Sequence, residues 1–125
     1  FVNRSAGRLP AAAVVGARQV TDLLRDVLDT AEVRPLDVYA LVSVKGITGD
    51  YLPTTLRTYL AVDPALHDTP RASGRTPTQS LLEQIDALRT SAAATLEAAN
   101  AQDADALMTQ GSFLRTKFSR SDLDL

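Results

Sequence analysis

A proline inside an apolar-faced helix is the feature that most limits how this chain can fold. Pro53 lies in the run Thr48-Gly49-Asp50-Tyr51-Leu52-Pro53-Thr54-Thr55-Leu56-Arg57-Thr58-Tyr59-Leu60, just after Lys45, Gly46 and Ile47. On either side of it, Val38, Leu41, Val42, Leu52, Leu56 and Tyr59 can share one face if a helix runs through 35–62. Pro35 suits the start of that helix, and Asp63 before Pro64 ends it, because a residue preceding proline is pushed out of the α region. Gly46 and Gly49 weaken its middle, by about 1 kcal/mol each relative to alanine.

Two geometries accommodate Pro53. In the first the helix is continuous and kinks, with the ring facing the carbonyl of Gly49, which loses its usual donor. In the second Gly46 ends one helix, Asp50 caps the next, and Pro53 falls in a first turn where no N–H is missed. The apolar stripe keeps its phase across 46–53, which favours the continuous, kinked helix over the split one.

The remaining elements also read as helices. Residues 1–9 lack periodicity and form a flexible lead-in. Pro10 opens a helix over 10–30 whose stripe is Val20, Leu24, Val27 and Ala31, widened by Leu23 and Leu28. Its other face alternates Arg18, Asp22, Arg25, Asp26 and Asp29, the pattern of a solvated surface. Residues 63–75, with two prolines and Gly74, form the one long loop, either mobile or laid across the bundle. Thr76-Pro77-Thr78-Gln79 is the sharpest local signal: an N-cap, a first-turn proline and the glutamine of a capping box. Behind it Leu81, Ile85, Leu88, Ala92, Thr95 and Ala99 follow one helical face to about residue 99. A turn at 100–103 leads to a last helix striped by Leu107, Gly111, Leu114 and Phe118 and widened by Ala106 and Phe113. That short turn predicts an antiparallel hairpin, and residues 119–125 read as a frayed tail.

Composition agrees with helices. Only 5% of residues are aromatic and Trp is absent, so the core must be aliphatic, and 125 residues suffice for one core without a metal or disulfide. The fold class is therefore all-α: an up-and-down bundle of three to four helices with a kinked or split middle helix, in one domain over 10–118.

A net charge of −2 excludes the basic footprint of a nucleic-acid binder. With no cysteine and one histidine, neither a thiolate nucleophile nor a zinc site of Cys and His can be assembled. No apolar run approaches the roughly 18 residues of a membrane span. The chain opens on Phe1 rather than Met, so a membrane contact is expected only through an anchor upstream.

His67, near Asp63 and Asp68, invites a general-base reading, but a lone loop histidine is more simply a solvated surface residue. Neither Lys45-Gly46 nor Ser73-Gly74-Arg75 has P-loop spacing, and no serine sits in a Gly-x-Ser-x-Gly elbow. The reading assigns no catalytic residue, no cofactor and no metal. Tyr51 points about 100° away from the stripe in a regular helix. With Asp50 it lies on the outer side of the bend, and these two are the candidate contact residues. The plainer alternative is a boundary tyrosine with its hydroxyl in water.

The hexapeptide Tyr51-Leu52-Pro53-Thr54-Thr55-Leu56, in a middle helix after one helix and before a long helical segment, resembles the XpaC family. That family is named for 5-bromo-4-chloroindolyl phosphate hydrolysis and grouped with TelA-type toxic-anion-resistance proteins. The later Asp103-Ala104-Asp105-Ala106-Leu107 to Phe113-Leu114 pattern fits its final helix, and the resemblance covers about residues 17–118. It departs from the family in showing no apolar N-terminal membrane segment. The resemblance implies a cytoplasmic, membrane-tethered helical domain and carries over no catalytic residue.

The expectation is a non-catalytic interaction or scaffold domain that binds a protein partner or self-associates. Self-association would use the alanine-rich face at 91–94, Ala98 and Ala99. The competing expectation is a hydrolase or other enzyme acting on a phosphorylated or anionic small molecule.

Overall fold

The computed structural model describes residues 6–33, 38–101 and 104–118, with the side chains of 6, 31–33, 38–41 and 104–105 outside the description. Expectations for 1–5, the connection at 34–37, the stripe positions Ala31, Val38 and Leu41, the turn at 102–103 and the tail 119–125 lie outside the described residues. After a 3₁₀ turn at Ala6–Arg8, the helices are α1 (Ala11–Val33), α2 (Val38–Gly46), α3 (Leu52–Ala61), α4 (Pro77–Ala101) and α5 (Ala104–Phe118). A π-helical turn, Ile47–Tyr51, joins α2 to α3. The fold is an all-α bundle, with no strand among the described residues.

Side-chain pairings fix the helix directions. Thr55 meets Gln84 and Tyr59 meets Thr78, so α3 and α4 are antiparallel. Ser91 meets Gln110, which makes α4 and α5 antiparallel as their short connection requires. Gly16 faces Ile85 and Thr30 meets Asn100, so α1 and α4 run parallel. The path is up, down, up, down, and α4 packs against every other helix.

The α1–α4 contact is close because α1 carries small residues there. Ala13 and Ala17 are fully buried, and a Cβ on Gly16 would lie 2.7 Å from Ile85 Cγ2. Val20, Leu24 and Val27 continue the face, while Leu28, expected to widen it, is exposed. Leu9, assigned to the lead-in, is buried in the core. Pro10 itself stands just outside α1, its carbonyl accepting from the N–H groups of Ala13 and Val14.

α4 follows its sequence pattern throughout. Thr76 Oγ1 accepts from the Gln79 N–H at 3.1 Å, and Gln79 Oε1 accepts from the Thr76 N–H at 2.9 Å, the reciprocal capping box. Leu81, Ile85, Leu88, Ala92, Thr95 and Ala99 are all buried. On α5, Leu107 and Leu114 are buried, but Phe113 is exposed. α5 packs mainly on α4 and α2, so its inward stripe is too narrow to take Phe113.

Of the two geometries for the middle helix, the continuous one holds: Gly46, Tyr51 and Leu52 all keep right-handed helical dihedrals. The phase does not run through, however. The Leu52 N–H reaches back five residues to the carbonyl of Ile47. One extra residue in the turn moves the Gly49 carbonyl off the place where the Pro53 ring would strike it. It also rotates the upstream half by about 100° relative to a regular helix. Ser43, Val44 and Ile47 are therefore buried with Leu52, Leu56 and Tyr59, while Val42 is 55% exposed. Val42 was expected on the core face; the inserted residue turns it out.

Candidate functional site

The π turn sets the surface around Asp50 and Tyr51. Within it Thr48, Gly49 and Asp50 are small or polar, and the regular α-helical ladder is interrupted. In an α-helix the Thr48 carbonyl would accept from Leu52, now bonded to Ile47, and the Gly49 carbonyl would accept from Pro53, which has no N–H. Both residues are exposed, so water can reach them. Thr48 Oγ1 donates to the Val44 carbonyl at 2.8 Å, a side-chain competitor for the backbone ladder at the start of the turn.

The wider turn, with its hydrogen bond reaching back five residues, places Tyr51 above Gly46. A Cβ on Gly46 would lie 3.1 Å from Tyr51 Cε2, so the ring rests on a surface that a larger residue would lift. The same ring packs against Phe118 at the end of α5, centroids 5.3 Å apart and planes tilted by 32°. Tyr51 is thus half-buried beside another helix, while Asp50 is exposed.

These two, with Thr54, Thr55, Gln84 and Phe118, line a cleft of about 70 Å³ where α3, α4 and the end of α5 meet. Thr54 Oγ1 donates to Asp50 Oδ1 at 3.3 Å. Thr55 Oγ1, buried, donates to Gln84 Oε1 at 3.2 Å. Asp50 and Tyr51 were singled out from sequence; Thr55 and Gln84 were not. Their signal was present: each is polar, three residues after one buried leucine and four before another buried residue (Leu52 and Tyr59; Leu81 and Leu88).

His67 is placed elsewhere and is not a solvated surface residue. Its Nε2 lies 3.0 Å from the Val62 carbonyl oxygen and 3.2 Å from that of Tyr59. Two acceptors facing one nitrogen require that Nε2 carry hydrogen and donate. The imidazole stacks on the Tyr59 ring, centroids 4.0 Å apart. The Tyr59 hydroxyl is 3.0 Å from Thr78 Oγ1, and the Thr78 N–H donates to the His67 carbonyl at 3.1 Å. His67 therefore closes the C-terminal end of α3 and ties the loop to the first turn of α4. The loop is correspondingly built of hydrogen-bonded turns, including a 3₁₀ turn capped by Asp63 and a turn at Gly74 with φ +84°.

A wider groove of about 310 Å³ lies between α1 and α4, with Ala12, Val15, Leu82 and Ile85 in its walls. Its charged rim, Asp86 and Arg89, is joined in an ion pair at 2.6 Å. Among the described residues, no three His, Cys, Asp or Glu side chains come together as metal ligands, and no helix is long and apolar enough to cross a membrane. The alanine-rich half of α4 faces inward: Ser91, Ala92, Ala98 and Ala99 are buried. Comparison with protein-family models, with curated proteins and with solved structures gives no match.

Proposed function

We propose that the bundle is a non-catalytic interaction domain that meets a protein partner through the surface around Asp50 and Tyr51. The observation that carries this reading is the π turn. It departs from the regular helix at a place where a carboxylate, a tyrosine and two threonines gather around a cleft. Helix interruptions of this type occur disproportionately at functional positions. Among the described residues the cleft holds a single carboxylate and no histidine, and His67 is engaged at the end of α3. Both facts favour binding over acid–base hydrolysis, which needs a positioned proton donor and acceptor. The likeness of residues 51–56 to the XpaC hexapeptide extends the proposal to a domain working in the cytoplasm, tethered to a membrane by a segment outside this sequence.

Site-specific photo-crosslinking in cells tests it. A photoreactive residue at position 50 should yield one discrete adduct that the same residue at exposed position 97 does not, and Tyr51→Ala should abolish it. Hydrolysis of 5-bromo-4-chloroindolyl phosphate by the purified protein, lost in Asp50→Asn, would instead establish an enzyme and overturn the proposal.

A further inference from the structure

We propose that the cleft beside Asp50 and Tyr51 receives a primary ammonium group, carried by a lysine side chain or by a free aliphatic amine. The inference rests on the interaction reading above and names the chemistry of that same surface. Its ground is the placement of hydrogens. Thr54 Oγ1 donates to Asp50 Oδ1, and Thr55 Oγ1 donates to Gln84 Oε1. A hydroxyl has one hydrogen and two lone pairs, so both threonines use their only donor within the protein and keep acceptors for the cleft. An ionised carboxylate accepts and cannot donate, and Asp50 makes no ion pair among the described residues. The threonine hydroxyls and Asp50 thus offer oxygen lone pairs and one negative charge. An ammonium supplies three N–H donors and the balancing charge together.

The walls point the same way. The cleft's volume of about 70 Å³ leaves room for an ammonium and the methylene behind it. A phosphate or carboxylate would set acceptors against acceptors beside Asp50, so the cleft disfavours the anionic substrates of the hydrolase reading. Tyr51 and Phe118 form an aromatic flank against which a cation and its methylene stem can pack.

Amide chemical shifts of the 125-residue protein test the inference, followed during titration with Nα-acetyl-lysine methylamide, n-butylamine and the uncharged Nα-acetyl-norleucine methylamide. Both amines should shift Asp50, Tyr51, Thr54 and Thr55 saturably, and the norleucine compound should not. A lysine derivative that binds more tightly than butylamine identifies a peptide lysine as the source; equal binding identifies a free amine. Asp50→Asn, at an exposed position, should weaken amine binding by about tenfold or more, the effect of losing one charged hydrogen bond. Thr54→Val should weaken it less, and Asp86→Asn not at all. Equal shifts from the norleucine compound, amine binding indifferent to Asp50→Asn, or no saturable shift at these residues would overturn it. A crosslinked partner without amine binding refutes the ammonium receptor alone; amine binding without a crosslinked partner refutes the interaction domain.

Discussion

The start of α4 and the join between α2 and α3 each contain a proline, and the chain treats the two in opposite ways. Pro77 occupies the first position of α4, where its fixed φ suits the helix, its missing N–H is not needed, and the Thr76–Gln79 pair satisfies two neighbouring donors. Pro53 falls mid-helix, where an α-turn would drive its ring into the Gly49 carbonyl. The chain admits one extra residue instead, with the Leu52 N–H on the Ile47 carbonyl and Thr48 Oγ1 on the Val44 carbonyl. At α4 every local preference agrees with the global packing, the condition for a well-specified element. At the join they conflict, and the resolution sets Asp50 and Tyr51 at the mouth of the cleft. The difference teaches where to look: the locally costly element is the one that carries the candidate site.

The comparison breaks first at Gly49. Deleting it removes the extra residue, so Pro53 would meet the Thr48 carbonyl in an ordinary α-turn at a cost of about 3 kcal/mol. Adding Pro53→Ala to the deletion should restore most of that stability. Urea unfolding of the two variants checks both statements, and a deletion as stable as the parent would show that Pro53 is not the reason for the turn. Gly16→Val addresses the regular side of the comparison. Its side chain must displace Ile85, with an expected loss of about 2 kcal/mol in the same assay. Thr76→Ala removes one half of the capping box and should cost about 1 kcal/mol, read as a lower thermal midpoint. The smallest effect has the opposite sign. Gly49→Ala places a Cβ with no atom within 4 Å and should stabilise by about 0.5–1 kcal/mol, the ordinary helix preference.

What was legible in the sequence follows the same division. All six stripe residues of α4 are buried, because a local cap sets the start and the backbone then advances a constant 100° per residue. The middle helix was recognised as one element, yet Val42 was placed inside and lies outside. Periodicity assumes a constant advance, and a π turn leaves no mark in apolar spacing. Leu28 and Phe113 were assigned to core stripes for a related reason. The width of a stripe depends on how many neighbours a helix has, which is a tertiary fact. Asp50 and Tyr51 were legible as the outer side of an interruption. The cleft was not, since Gln84 and Phe118 arrive from two other helices, Gln84 lying 29 residues from Thr55. His67 was read as solvated because its partners, the Tyr59 and Val62 carbonyls, are backbone groups that no side-chain pattern reveals.

The central claim is that α2 and α3 are one helix carrying one extra residue. Scalar couplings across hydrogen bonds, measured on the labelled protein, test it most directly. The account predicts a correlation from the Leu52 amide nitrogen to the carbonyl carbon of Ile47. A correlation from Leu52 to Thr48 would mean an ordinary α-turn and would contradict it.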